Sequence, residues 1–413
     1  MPLIRPFAGL RPAPGRAADV AAPPYDVLNT EEARVRAAGK PWSFLHISKP
    51  EIDLPSGTNP YSPAVYAKGK ENFDRLLKEG VLTRDPEPYY YVYRLVMGAH
   101  SQTGIVAVAS VPDYDSNRIR KHEFTRPDKE DDRVRQIDVL NAQTGPVFLT
   151  YRHSARVDAV VASVVTGMPD VDVMADDGVR HTLWSMRDRR QIETISAEFD
   201  RMSCLYIADG HHRSAAASRV TASRRSANPK HTGQEEYNYF LAVIFPDNQM
   251  RIMDYNRVVK DLNGLGREAF LKKLESSFHM KLEGSAVKPA RAGEFGMYFD
   301  KQWYRLAIKP EHIPQTDPVR RLDVSLMQDN LIAPILGVAD PRRDKRIDFV
   351  GGIRGLKELE RRVDSGEMVV AFSFYPTSLT DLMSVADAGE VMPPKSTWFE
   401  PKLADGLVSH VLD

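Results

Sequence analysis

Residues 205–217 have the sequence LYIADGHHRSAAA. An apolar run of strand length ends at Asp209, Gly210 permits a tight turn, and an alanine-rich run typical of a helix follows at once. The first turn of a helix presents N–H groups without partners and about half a positive charge. This stretch therefore predicts a strand-turn-helix unit whose helix N-terminus can bind an anion.

The polar side chains of this turn support the same prediction. Arg213 offers a guanidinium fork suited to bidentate phosphate contact, and His211 and His212 offer further donors or proton-transfer groups. Two alternatives stay open: a structural turn capped by Asp209, and a zinc site formed by Asp209 with the two histidines. Zinc is disfavoured because adjacent residues rarely reach one metal ion and no HExxH spacing accompanies them.

A second charged cluster occupies residues 118–133. Its first part precedes Pro127 and is predicted to be extended or a turn, whereas the part after this proline has helical character. In the first part, Lys121 and Arg126 can hold phosphate oxygens while Glu123 accepts a proton from an alcohol. That combination suits phosphoryl transfer, which needs positioning and charge neutralisation. For the helical part, a solvated face with i,i+4 ion pairs is an equal alternative.

Two proline-rich loops carry polar groups unusual for surface loops. Residues 22–27 form a stiff turn that presents the carboxylate of Asp26 beside a phenol. Residues 392–402 form a loop framed by prolines, with an aromatic pair and these possible anion donors: Lys395, Ser396 and Thr397. A packed loop that only closes the core is an equally good interpretation of the second segment.

Length and composition exclude several classes of protein. The chain has 413 residues, enough for two or three domains, and its 42% hydrophobic and 27% charged residues are ordinary for a globular protein. Because 56 basic residues balance 56 acidic ones, we expect no nucleic-acid partner. Cys204 is the single cysteine and cannot form an intramolecular disulfide. A membrane helix needs about 18 consecutive apolar residues, and every apolar run in this sequence is much shorter. We expect a soluble protein of a reducing cytoplasm, with no membrane partner.

Helical and strand patterns alternate irregularly along the chain, which predicts a mixed α/β (α+β) fold. Apolar runs at 240–245 and 250–255 flank a Pro-Asp-Asn turn and predict a hairpin. We expect a main domain over residues 1–290 and a smaller C-terminal α/β region over residues 291–413, packed on the main domain.

Several motifs together resemble a known family. The strings AAPPYDV (21–27), KHE (121–123), YIADGHHR (206–213) and MPPKSTWF (392–399) are similar to those of the bacterial family known as domain of unknown function 1015. The likeness covers essentially the whole chain. Family membership of this kind names no reaction.

The Asp-Gly-His-His-Arg string, followed by small residues, also resembles the phosphate-binding box of the ParB/sulfiredoxin superfold. Free-serine kinases of that superfold carry an Asp-Gly-His-x-Arg string and take their general base from an upstream glutamate, which Glu123 in KHE resembles. The resemblance implies a ParB/sulfiredoxin-like subdomain around residues 205–220, embedded in a larger irregular α/β protein. In those kinases the gap between the two boxes is shorter than in this chain. His211 stands where sulfiredoxins have cysteine, so their reductase chemistry is not implied.

The resemblance implies a nucleotide-dependent kinase for the hydroxyl of free serine or a similar polar metabolite, with ATP or ADP as donor. Asp209 would orient the site or hold Mg²⁺, Glu123 would be the base, and Asp26 and His211 are the competing base candidates. The alternatives are a nucleotide-binding regulatory protein and a phosphoester hydrolase that uses the same anion site. The expected partners are a nucleotide and a small polar metabolite, and the sequence gives no oligomeric state.

Overall fold

A computed structural model describes all residues, 1–413, and divides the chain into two compact units. The first unit contains residues 1–250 together with residues 401–413, and the second contains residues 251–400. The boundary expected at residue 290 therefore lies inside the second unit. Residues 401–413 return to the first unit, so this unit is not one continuous segment of the chain as the sequence had suggested.

The strands and helices are numbered in chain order. The strands are β1 (Ile4–Arg5), β2 (Leu10–Pro12), β3 (Leu82–Arg84), β4 (Tyr90–Met97), β5 (His100–Ser110), β6 (Ile119–Arg120), β7 (Ala142–Gln143), β8 (Val147–Tyr151), β9 (Val171–Met174), β10 (Arg180–Met186), β11 (Leu205–Asp209), β12 (Tyr239–Pro246), β13 (Ile252–Met253), β14 (Tyr255–Val259), β15 (Phe278–Glu283), β16 (Glu294–Phe299), β17 (Gln302–Ile308), β18 (Ile347–Gly351), β19 (Val370–Phe374), β20 (Trp398–Phe399) and β21 (His410–Val411). The helices are α1 (Ala17–Val20), α2 (Thr30–Ala37), α3 (Leu45–Ser48), α4 (Pro63–Lys78), α5 (Val111–Asp115), α6 (Pro127–Leu140), α7 (Ala155–Val164), α8 (Arg189–Asp200), α9 (His211–Ala227), α10 (Arg267–Leu274), α11 (Asp323–Met327), α12 (Leu356–Asp364) and α13 (Leu379–Asp387).

The first unit is built on a nine-stranded sheet in the order β6-β11-β8-β12-β5-β4-β10-β9, with β1 paired to β5. The pairs β6–β11 and β8–β12 are parallel, and the other pairs are antiparallel. Helices from the same unit pack against the sheet, among them α9, whose small residues Ala215 and Ala217 join the main apolar core. The mixed α/β class expected from the sequence is confirmed.

The predicted hairpin between residues 240–245 and 250–255 is wrong. Strand β12 is buried along its whole length and pairs with β5 on one side and β8 on the other. A continuous apolar run is typical of a strand buried on both faces in the interior of a sheet, and in this sheet β5 and β8 pair with the two edges of β12. After β12 a short 3₁₀ turn, Asp247–Gln249, leads into the second unit, where β13 pairs with β20.

The second unit contains a six-stranded antiparallel sheet in the order β15-β17-β16-β19-β14-β18. Helix α12 covers one face of this sheet, where Leu359 packs with Val258, Tyr298 and Trp303. None of the helices in either unit is both long and apolar enough to cross a membrane.

Candidate functional site

The parallel pairing of β6 with β11 brings the two charged motifs together. Leu205 lies opposite Ile119 and Tyr206 opposite Arg120. Parallel strands end at the same edge of a sheet, so the segment after β6, residues 121–126, lies beside the turn after β11. The motifs at residues 121–123 and 209–213 are therefore neighbours in the fold, although many residues separate them in the sequence.

Gly210 makes the sharp transition from β11 into α9. Its φ of 96° lies in the left-handed region, and an added Cβ would meet the Cα of Val147 at 3.3 Å. Helix α9 starts at His211 with no side-chain cap and no acidic residue in its first turn. The N–H groups of His211 and His212 therefore have no partner inside the helix, and the partial positive charge of the helix end is not neutralised by an acidic residue of that turn.

We expect Gly210→Ala to destabilise the first unit more than Gly178→Ala. Both positions have positive φ, which costs roughly 1–2 kcal/mol for a side chain, but the space around Gly178 is open. At Gly210 the new methyl group also crowds the backbone at Val147, and overpacking adds about 1–3 kcal/mol. Urea unfolding of the two variants measures the difference. Equal losses of stability would show that the turn has room for a Cβ.

The two adjacent histidines hold the segment that follows β6. The N–H of His122 donates to Nε2 of His211 at 3.4 Å, and the N–H of Arg126 donates to Nε2 of His212 at 3.1 Å. Each accepting nitrogen must be unprotonated, so both rings are neutral and carry their proton on Nδ1. Burial lowers the pKa of both rings, that of His211 well below its usual range. The main chain thus uses Nε2 of both rings as an acceptor, and only Nδ1 of each ring carries a proton that can be donated.

Glu123 lies beside His211 at the start of α9. Its Oε2 is 3.9 Å from Nδ1 of His211, the nitrogen that carries the proton, and its side chain is 49% exposed. The neighbouring His122 is buried, its ring stacks edge-on against His211 at 4.5 Å, and neither of its ring nitrogens has a hydrogen-bond partner. The carboxylate of Glu123 is therefore half exposed and lies beside the buried imidazole of His211, against which the ring of His122 packs.

Asp209 is ionised and paired. Its Oδ2 accepts a hydrogen bond from Nζ of Lys402 at 2.9 Å, and its Oδ1 accepts one from the N–H of Gly210 at 2.8 Å. Burial alone would raise the pKa of Asp209, but the charges of Lys402 and Arg213 outweigh it and hold that pKa below its usual range. Lys402 was marked in the sequence by its place in the proline-framed loop, but no local pattern indicates that it pairs with Asp209.

Arg213 lies against the loop that carries Asp26. Its guanidinium donates to the carbonyl of Pro146 at 2.7 Å and to Asp26 at 3.3 Å, and its side chain is 13% exposed. Asp405 is buried close by, with Oδ1 unpartnered, and burial raises its pKa to about 7. The predicted residues Arg213 and Asp26 are thus brought together, and sequence reasoning missed Asp405, which no local motif marks.

The remaining predicted cations point elsewhere. Nζ of Lys121 lies 4.0 Å from the ring centroid of Tyr114, and burial lowers its pKa. The guanidinium of Arg126 is exposed and pairs with Asp128, so Arg126 joins the site through its main chain. The last three predicted ligands lie in the second unit, and their role toward a nucleotide stays a prediction: Lys395, Ser396 and Thr397.

Three solved structures are similar to this chain at low identity. A conserved hypothetical protein from Pyrococcus furiosus has 14% identity and a TM-score of 0.35, covering 73% of this chain and 94% of its own. Free serine kinase in complex with AMP has 12% identity and a TM-score of 0.35, covering 73% and 92%. SbnI with C-terminal truncation from Staphylococcus aureus has 11% identity and a TM-score of 0.36, covering 73% and 85%. A mutant of the free serine kinase is also known in complex with ADP.

The family comparison covers most of the chain. No curated protein sequence matches it significantly. A family model with the description "Protein of unknown function (DUF1015)" matches residues 4–325, which include β6, β11 and the first turn of α9. The match ends before Lys402 and Asp405, so the residues that complete the site lie outside it. The chain belongs to the DUF1015 family, as its motifs had indicated.

Proposed function

We propose that this protein is a nucleotide-dependent kinase that phosphorylates the hydroxyl of free serine or a similar polar metabolite. The observation that carries the proposal is the half-exposed carboxylate of Glu123 beside the uncapped N-terminus of α9. A kinase for an alcohol needs a proton acceptor next to an anion-binding group, and the pairing of β6 with β11 supports the proposal because it holds Glu123 beside the start of α9.

The phosphates of ATP or ADP would bind at the start of α9. The main-chain N–H groups of His211 and His212 offer donors there, and Gly210 lets a phosphate approach the backbone closely. Arg213 adds positive charge, although its guanidinium also holds Asp26 and the carbonyl of Pro146. The two histidine side chains serve to position the segment that carries the base.

The reaction transfers one phosphoryl group and one proton. Glu123 takes the proton of the acceptor hydroxyl, and the oxygen of that hydroxyl forms a bond to the terminal phosphorus of the nucleotide. The bond between this phosphorus and its bridging oxygen breaks, and the nucleotide leaves one phosphate shorter. Burial lowers the pKa of His211 and His122 and favours their neutral forms. Neither ring is therefore a cation that would lower the basicity of Glu123.

Mg²⁺ fits this site through one protein ligand. No group of three or more His, Cys, Asp or Glu side chains could hold a metal ion alone. Magnesium in phosphoryl-transfer sites takes one or two carboxylates together with phosphate oxygens and waters, so Asp209 would suffice. The ion would neutralise charge on the transferred phosphate.

The test is incubation of the purified protein with Mg²⁺, ATP or ADP, and L-serine, with mass spectrometry for phosphoserine. We expect phosphoserine and an equal amount of the nucleotide that has lost one phosphate. A second series with other small alcohols would identify the preferred acceptor. Phosphate release that is equal with and without any acceptor would instead indicate a hydrolase. Nucleotide binding without turnover of any acceptor would indicate a regulatory protein, and either result would contradict the kinase.

A further inference from the structure

The second unit contains a buried arginine with no acidic partner. Arg257 lies on β14, between β18 and β19, and is 6% exposed. Its guanidinium carbon is 4.6 Å from the ring centroid of Phe374 and 5.2 Å from that of Phe349. A guanidinium is the cation best suited to such stacking, but the rings do not neutralise its charge.

The hydrogen bonds of Arg257 go to main-chain carbonyls. Nη2 donates to the carbonyl of Lys395 at 3.0 Å, and Nη1 donates to the carbonyl of Tyr255. No aspartate or glutamate forms an ion pair with it. Two carboxylates of the same unit are held by other donors, Asp254 by Asn256 at 2.6 Å and Glu400 by the indole of Trp398 at 2.7 Å.

Burying an unpaired charge is expensive, which makes Arg257 an unusual choice for a purely structural contact. Burial lowers the pKa of Arg257 to about 9, a direct sign of that cost. A neutral glutamine or asparagine could donate to the same two carbonyls at a much smaller desolvation cost. Of the five N–H donors of a guanidinium, the two carbonyls occupy two, so donors remain for a further acceptor.

The loop that Arg257 contacts brings a second cation. Lys395 is exposed and has a φ of 57°, a left-handed conformation that side-chain-bearing residues other than Asn and Asp seldom adopt. Its ammonium lies 5.7 Å from the ring centroid of Tyr255, which precedes Arg257 by two residues in β14. The hydroxyl of Ser396 donates to the carbonyl of Pro393, and that of Thr377 donates to the carbonyl of Ser396, which fixes this backbone.

We propose that Arg257 and Lys395 form a binding site for the phosphate group of a small molecule. Two cations without acidic partners, one buried and one exposed on a fixed loop, suit a dianion better than a single carboxylate. This site stands on contacts inside the second unit and does not depend on the proposed kinase activity.

The test is isothermal titration of the full chain with inorganic phosphate, at constant ionic strength set with chloride. We expect Arg257→Met to weaken phosphate binding tenfold or more, because a charge-assisted hydrogen bond is lost, and Lys395→Met to weaken it several-fold. Lys301→Met is the matched control, because Lys301 is also exposed with a φ of 58° in the same unit. Unchanged affinity in Lys395→Met and in a folded Arg257→Met would overturn the proposal.

A site-specific signal separates this site from the one at α9. The Nε–Hε resonance of Arg257, identified by its loss in Arg257→Met, should move as inorganic phosphate is added to the wild-type chain. It should move equally in Glu123→Gln, whatever that variant does to kinase activity. If Arg257→Met does not fold, the test uses Lys395→Met alone. This variant must bind phosphate more weakly, and the arginine resonances that move with phosphate in the wild type must need more phosphate to move in the variant. Arginine resonances that do not move when phosphate is added would refute the site and would leave the kinase proposal intact.

Discussion

Replacing Glu123 by glutamine is expected to lower the turnover of serine phosphorylation by about 10²–10⁴-fold. Glutamine keeps the size of the side chain but cannot take the proton of the acceptor hydroxyl, which is the contribution of a positioned general base. The nucleotide is expected to bind nearly as before, because the phosphate donors at the start of α9 remain. Initial rates at saturating substrates, with nucleotide affinity from isothermal titration, measure the two quantities separately.

The matched variant for this experiment is Asp26→Asn. Asp26 is another partly exposed carboxylate of the site, with 43% of its side chain exposed, but it pairs with Arg213 at 3.3 Å. We expect its loss to act mainly on nucleotide affinity, through the freed guanidinium. If Glu123→Gln keeps nearly full turnover while Asp26→Asn loses it, the assignment is wrong and Asp26 is the base.

Replacing the buried His122 by phenylalanine is expected to flatten the fall of stability in acid. Burial lowers the pKa of His122 to about 4, whereas in the unfolded chain it is about 6.5. Between these values the unfolded chain binds the proton and the folded protein does not. Stability from the neutral ring is therefore complete above about pH 6.5 and is lost as the pH falls toward 4. The loss amounts to about 3 kcal/mol over the whole window.

Urea unfolding at pH 7.5 and at pH 4.5 gives the loss of unfolding free energy in acid for each protein. The effect is the difference between this loss in the wild type and in His122→Phe. The wild type and His122→Phe both retain His181, whose pKa burial also lowers to about 4, so its contribution cancels. His153→Gln is the control, since His153 is 41% exposed in the same unit. We expect it to follow the wild type. An equal acid loss in His122→Phe and wild type would mean that the His122 ring takes up its proton without unfolding.

The local features of the fold could be predicted from the sequence, and the long-range ones could not. The turn at Gly210 was predictable because an apolar run, a glycine and an alanine-rich run each favour one conformation. The hairpin after Phe240 failed because the same local reasoning ignores competing strands, and β5 and β8 both pair with β12. The neighbours of β11 are likewise set by the packing of the whole sheet.

The same distinction applies to the candidate site. The sequence predicted which polar residues gather there, Glu123 with Asp209–Arg213 and Asp26, because their types and motifs suit anion chemistry. It did not predict that the two histidine rings would accept main-chain N–H bonds, since that depends on which donors the segment after β6 leaves unpaired. It also missed that Lys402 pairs with Asp209, because nothing local connects residues so distant in the chain.

Because residues 401–413 return to the first unit, that unit is completed only after the second unit has been synthesised. A ribosome synthesises β6, β11 and α9 first, then the whole second unit, and only afterwards Lys402 and β21. Until then Asp209 lacks the ammonium of Lys402, and only Arg213 remains as a nearby cation at the place where the proposed phosphate would bind. A chain that stops before Lys402 can therefore contain every strand of the nine-stranded sheet and still lack the residue whose ammonium pairs with Asp209.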